Sequence, residues 1–212
     1  MGVEDEKRLA GEAAAELVEA GMAVGLGTGT TVDHFLAALA RRALTIRCVA
    51  TSLRTESAAR ELGLPVEPFD ALERLDLAVD GADQVAPDGW LVKGGGAAHT
   101  REKVVAAASE RFVVIASSDK VVEAITAPIP VEILPYGAAA TLARIAPAEL
   151  RDVPPSPDGG LIADYLGPVG DLADLAVRLS GTPGVVEHGL FGPDLVTEIL
   201  VGSGEDVERR TV

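Results

Sequence analysis

The chain has 212 residues, 33 acidic side chains against 18 basic ones, a net charge of −15 and 48% apolar residues. That length supports one large domain or a large domain carrying a smaller one, and the apolar content excludes a disordered chain. The charge opposes nucleic acid backbones and anionic membranes, so neither is an expected partner, and an anionic ligand needs a locally positive pocket.

No apolar run approaches the roughly 20 residues that span a bilayer. Residues 1–21 alternate charge with small apolar residues at helical spacing and lack the continuous apolar core of a secretory signal. The expectation is a soluble, cytoplasmic protein. The basic residues are 14 Arg and 4 Lys, and three of the lysines, Lys93, Lys103 and Lys120, fall in or beside Gly-rich and Ser-rich segments. A high-salt cytoplasm or a GC-rich genome would each produce this bias, and the response of stability to KCl separates them.

In chain order, short apolar runs ending in small or polar residues predict strands at 22–28, 46–52, 75–83 and 111–117. Apolar spacings of three and four predict helices at 31–42, 56–62 and 100–110. Strands alternating with helices give a parallel sheet with helices on its faces. Cys48 falls inside the second strand and reads as a small core residue. His34, His99 and His188 are far apart and lack the spacing of zinc ligands, so no metal is expected.

From Pro128 the order changes. Residues 130–135 and 161–166 read as strands, 138–146 and 171–180 as helices, and 185–191 as one strand. With a short strand near 149–153, this is the β-α-β-β-α-β order called ferredoxin-like. The Pro-rich stretch 154–160 then turns between its central strands, and 194–202 returns to the large sheet. The fold class is therefore α/β, a Rossmann-like parallel sheet domain (1–127 with 194–212) carrying an inserted ferredoxin-like α+β unit (128–193).

Three segments carry chemistry. Gly25-Leu26-Gly27-Thr28-Gly29-Thr30-Thr31 lies where a strand turns into a helix, so glycines admit an anion to the backbone and helix-start N–H groups point at it. The spacing is G-x-G-x-G, and the next strand ends in Thr51 and Ser52 where a dinucleotide site needs an acid, which disfavours NAD. A phosphate monoester suits the threonine hydroxyls better. Asp80-Gly81-Ala82-Asp83 ends an apolar strand, the end that borders the ligand crevice of an open α/β sheet. Two carboxylates there can bond or exchange protons with sugar hydroxyls. By itself, the segment is also a plain Asp-Gly turn.

The third is Lys93-Gly94-Gly95-Gly96 followed by Ala97-Ala98-His99-Thr100-Arg101-Glu102-Lys103. A lysine beside exposed backbone donors suits a developing oxyanion. Glu102 falls in the first turn of the following helix, where carboxylates are common because the macrodipole favours them. The dipole lowers its pKa, whereas a general base needs a value near the working pH, so burial has to raise it.

Together these blocks resemble the A-type ribose-5-phosphate isomerases, whose signatures are G-x-G-T-G-[ST]-T, D-G-A-D and K-G-G-G-x-x-x-x-R-E-K. The resemblance extends to 128–135 and 183–191 and so covers nearly the whole chain. It implies a Rossmann-like catalytic domain, with the ferredoxin-like unit as lid and oligomer contact in a homodimer or homotetramer. It also implies interconversion of ribose 5-phosphate and ribulose 5-phosphate with no cofactor or metal. Substrate contacts carry over to Thr28, Gly29, Thr30 and Thr31, to Asp80, Gly81, Ala82 and Asp83, to Lys93, Gly94, Gly95 and Gly96, and to Lys120. In the implied chemistry Asp80 assists furanose ring opening, and Glu102 moves the proton from C2 to C1. Lys93 and the glycine N–H groups face the cis-enediolate while Asp83 orients a hydroxyl. The sequence departs from the family at Gln84, where Glu is usual, at Ser117-Ser118-Asp119 before Lys120, and at Ser156-Pro157-Asp158-Gly159-Gly160 before a central strand of the small unit. A non-catalytic sugar-phosphate sensor of the same fold is the rival reading. It would keep the phosphate turn without needing Lys93 and Glu102.

Overall fold

The computed structural model describes residues 2–212. In chain order the elements are α1 (Val3–Ala15), β1 (Ala23–Leu26), α2 (Thr30–Arg41), β2 (Arg47–Ala50), α3 (Leu53–Glu61), β3 (Leu77–Gly81), β4 (Gln84–Val85), β5 (Leu91–Val92), α4 (His99–Ala107) and β6 (Phe112–Ser117). There follow β7 (Ile129–Ile133), α5 (Ala138–Arg144), β8 (Ala148–Leu150), β9 (Leu161–Tyr165), α6 (Leu172–Ser180), β10 (Val185–His188), β11 (Leu190–Phe191), β12 (Glu198–Ser203) and β13 (Asp206–Thr211).

The largest sheet has the order β13-β12-β6-β3-β1-β2. Its strands run parallel except β13, which folds back antiparallel on β12. Both faces are covered, and the period of two along each strand sorts the side chains. Val24, Leu26, Leu77, Val79, Val113 and Ile115 face α1 and α2 in one core with Phe35, Leu36 and Leu39. Ala78, Phe112, Val114 and Ala116 point the other way, toward Val105, Phe191 and Val201. Helix α1 approaches α2 closely because Gly11 has no side chain: a Cβ there would lie 2.7 Å from Phe35 N.

The chain leaves β1 for β2 on one side and then returns to β3 on the other, so the switch point of the sheet lies between β1 and β3. Leu26 pairs with Val79 there, which sets the turn after β1 beside Asp80 at the end of β3.

A second sheet, order β10-β7-β9-β8, is antiparallel throughout and carries α5 and α6. Ile129, Val131, Ile133, Tyr165, Leu175 and Leu179 form its core. The run 185–191 is two strands rather than the single one expected. It breaks at Gly189, whose N–H donates to Pro130 O at 2.7 Å while its carbonyl accepts from Lys93 N at 2.8 Å. A Cβ at Gly189 would sit 2.1 Å from Lys93 O. The second half, β11, therefore joins β5 and β4 in a small third sheet that bears directly on Lys93. The hairpin strand β13 had no counterpart among the expected strands, because its pattern Asp-Val-Glu-Arg-Arg-Thr is mostly exposed edge.

Candidate active site

The turn after β1 delivers Gly27, Thr28 and Gly29 to the carboxyl end of the sheet. Gly27 is required by a close approach: a Cβ there would fall 2.1 Å from Asp80 Cγ. Asp80 Oδ1 accepts from Thr28 N–H at 2.9 Å and from Gly81 N–H at 2.7 Å. Gly29 begins α2 at φ +140, a region side chains rarely enter, and so leaves the first N–H groups of the helix open toward the same space.

Asp80 Oδ2 faces Lys93 Nζ at 3.0 Å, and Glu102 Oε2 faces the same nitrogen at 3.1 Å. Lys93 Nζ also donates to Gly81 O at 2.5 Å. All three side chains are 2–4% exposed. One ammonium therefore serves two carboxylates in a dry site. Burial raises Glu102 to about 8, with the Asp80 charge adding to the rise and Lys93 opposing it. The helix-start effect is thus outweighed by burial. Burial also raises Asp80 against the pull of Lys93. Lys93 is lowered by burial but raised on balance by the two carboxylates, so it stays an ammonium.

A cavity of about 170 Å³ opens over this group. It is lined by Thr28, Gly29, Thr30, Thr31, Gly81, Ala82, Asp83, Lys93, Gly94, Gly95, Gly96, Glu102 and Lys120. The sequence-derived site residues thus converge on one space, with one exception. Asp80 lies behind Lys93 and does not line the cavity: Oδ1 accepts the two backbone N–H groups and Oδ2 faces the Lys93 ammonium. Asp83 is exposed and its Oδ2 accepts from Gly95 N–H at 2.7 Å.

Lys7 of α1 also lines the cavity. Sequence reasoning missed it, because only the packing of α1 against β6 and β12 carries a lysine 86 positions before Lys93 to the same mouth. The signal that could have found it is the scarcity of lysine in the chain.

Thr28 differs from expectation in its side chain. Its hydroxyl turns into a cluster with Thr51 and Ser52, each at 2.8 Å, and Thr55 at 3.1 Å, leaving the backbone of the turn to face the cavity. The three departures also find partners. The Gln84 amide pairs with Thr126, donating to O at 2.8 Å and accepting from N–H at 2.9 Å. A glutamate could not make the first of those bonds. Asp119 accepts from Ser117 Oγ and lies 3.5 Å from Lys120, and Ser118 bonds Glu6. Ser156 donates to Glu132 at 2.5 Å, and Asp158 holds Arg101 in a two-point pair at 2.7 Å.

Lys103, next to Glu102 on α4, turns away from the cavity to Glu187 and the His188 carbonyl, each at 2.7 Å, and so anchors the helix to β10.

Comparison with known proteins gives the family. Residues 47–206 match the family Ribose 5-phosphate isomerase A (phosphoriboisomerase A). The Ribose-5-phosphate isomerase A of Caulobacter vibrioides is 48% identical over 99% of both chains. The solved ribose 5-phosphate isomerase A of Methanocaldococcus jannaschii superposes with a TM-score of 0.94 at 31% identity, covering 100% of each chain. A D-ribose-5-phosphate isomerase solved in complex with phospho-erythronic acid gives 0.93 at 33% identity, again over 100% of each. A full-length likeness in sequence and backbone alike means that the chain belongs to the ribose 5-phosphate isomerase A family.

Proposed function

We propose that the chain interconverts ribose 5-phosphate and ribulose 5-phosphate by proton transfer through a cis-enediolate. The observation that carries this is Glu102, a buried carboxylate held near 8 at the edge of a small cavity and 3.1 Å from a buried ammonium. A base of that strength can take a carbon-bound proton and give it back at the neighbouring carbon. Lys93 and the Gly96 N–H meet the enediolate charge, while the Gly95 N–H holds Asp83. Asp83 orients a sugar hydroxyl. Asp80 handles the ring-opening proton through Lys93, since Oδ2 faces that ammonium.

The phosphate lies on the open helix-start N–H groups of Gly29, Thr30 and Thr31, between Lys7 and Lys120. The ligand of the relative solved with phospho-erythronic acid supports this reading: its carboxylate is planar and anionic, as an enediolate is, and it carries a phosphate. The Lys93 and Glu102 pair favours the enzyme over a sensor, because binding alone gives no reason to keep an uncompensated carboxylate in a dry site.

Residues 1–127 with 194–212 form the catalytic unit in this reading, and 128–193 the lid and the contact between copies in a dimer or tetramer. Tyr136, 92% exposed, and its neighbour Leu134 supply an apolar surface for that contact. A phosphorylated substrate made inside cells fits a cytoplasmic setting, and no helix among the described residues is long and apolar enough to cross a membrane.

The test is direct. Ketose formation from ribose 5-phosphate is measured for the wild type and for Glu102→Gln, which should lose on the order of 10² to 10⁴ in kcat. A wild type without product, or a variant with full activity, rejects the mechanism.

A further inference from the structure

Arg151 follows β8 in the small unit and reaches the Lys93-Gly94-Gly95-Gly96 loop of the large one. Its guanidinium is gripped from behind by Asp164 of β9, with Nε donating to Oδ2 at 3.0 Å and Nη2 to Oδ1 at 2.5 Å. Its remaining nitrogen, Nη1, donates forward to Gly94 O at 2.9 Å and Gly95 O at 3.2 Å. A two-point carboxylate pair fixes the plane of the guanidinium, so its forward N–H groups are aimed rather than merely nearby.

Those two carbonyls belong to the peptide units that carry the Gly95 and Gly96 N–H groups. Both units are trans, so in each plane the N–H points opposite to the C=O. With both carbonyls bound to Arg151, the two N–H groups turn to the far side. There the Gly95 N–H meets Asp83 Oδ2 at 2.7 Å, and Gly96 lines the cavity. The loop has no side chains with which to hold itself. Gly94 sits at φ +105 with His99 only 2.6 Å from where a Cβ would lie, and a Cβ at Gly95 would meet Asp83 at 2.6 Å. A run of three glycines is flexible by nature, and an outside clamp removes that freedom.

We infer that Arg151 is a positioning residue for the isomerisation: it sets the two peptide planes, one of which gives its Gly95 N–H to Asp83 while the other presents the Gly96 N–H to the enediolate. Its positive charge on the carbonyl side also polarises both peptide units, which strengthens their N–H groups as donors. Asp164 is the second member of the device. The inference rests on the isomerase reading of the same cavity. It concerns the transition state, because the oxyanion that the Gly96 N–H meets is fully developed only there.

The experiment uses the full-length protein. Wild-type isomerisation of ribose 5-phosphate is measured first, and a wild type without activity rejects the isomerase reading itself. Given an active wild type, Arg151→Ala should lower kcat by about 10- to 100-fold while KM stays within about threefold, the pattern of a lost transition-state contact. Inhibition by 4-phosphoerythronate should weaken by about the same factor as kcat/KM. Guanidinium ion at tens of millimolar should restore part of the rate in Arg151→Ala and leave the wild type unchanged. An unchanged kcat, a loss confined to KM, or a loss of rate that guanidinium does not restore in a folded variant overturns the inference. If Arg151→Ala does not fold, Arg151→Lys decides. Lysine keeps the charge but cannot pair twice with Asp164 and also span two carbonyls, so kcat should fall at unchanged KM. A kcat at the wild-type value overturns the inference.

Discussion

The Glu102 carboxylate stands 3.1 Å from the Lys93 ammonium, and the Asp80 carboxylate stands 3.0 Å from it on another side. Neither Glu102 Oε2 nor Asp80 Oδ2 receives a well-directed hydrogen bond, although each is within ion-pairing distance of Lys93. The trio is thus short of positive charge by one, in a place where water cannot make up the difference. Burial first, and then the neighbouring Asp80 charge, push Glu102 up to about 8 against the pull of Lys93, and a proton shared into the group relieves the deficit.

The pH profile follows from this. Glu102 must be ionised to accept a proton, so kcat/KM should rise with pH and level off above about 8. Removing the Asp80 charge with Asp80→Asn should shift the rising limb of the residual activity to lower pH, since Asp80 raises Glu102. The same group leaves a mark on stability. Its folded value lies above the ordinary 4.5, so its contribution is fully present below 4.5 and is lost as the pH climbs to about 8. The urea midpoint of Glu102→Gln relative to wild type should therefore increase between pH 5 and pH 9. A constant difference would contradict the assignment.

Gly27→Ala should disable the site from outside it. Its Cβ would occupy the position of the Asp80 carboxyl, 2.1 Å from Cγ, and Asp80 has nowhere to go because Lys93 lies beyond it. We expect a loss of about 1–3 kcal/mol in unfolding free energy, as for other overpacked interiors, together with a large fall in kcat.

Lys7→Ala separates binding from chemistry. In the proposed binding mode Lys7, at the cavity mouth, would contact the phosphate in ground state and transition state alike, so KM should rise by about 10- to 100-fold with kcat little changed. Initial rates over a range of ribose 5-phosphate concentrations check this.

Two links join the start of α4 to the small unit, and their energies should differ. Glu132 is buried and accepts hydrogen bonds from Thr100 and Ser156, each at 2.5 Å. Glu132→Ala strands two hydroxyls and should cost about 2–4 kcal/mol. Arg101 and Asp158 make a well-formed pair but are 36% and 49% exposed, so a double-mutant cycle should give less than about 1 kcal/mol. Chemical denaturation of the four variants tests the ordering.

Much of the fold was legible in the sequence because short apolar runs and three-four spacings report burial directly. The four strands at 22–28, 46–52, 75–83 and 111–117 each contain an observed one, and Thr30–Arg41 and His99–Ala107 lie within a residue of their expected starts. The split at Gly189 was not legible, since an apolar run does not say which sheet it pairs with. Site residues were readable where glycine, charge and position coincide, as in 25–31, 80–83 and 93–102.

By itself the sequence determined the order of the main parallel strands and the helices between them, and the chemistry available at three strand ends, because these are local properties of the chain. Only the tertiary structure decided that Lys7 from the first helix joins the cavity, that Asp80 stands behind Lys93, and that Gln84 pairs with Thr126. Each is a contact between residues far apart in the chain, fixed by how helices and strands pack. The strength of Glu102 as a base belongs to the same class: a carboxylate at a helix start is an ordinary acid until packing removes its water and sets a second carboxylate beside it.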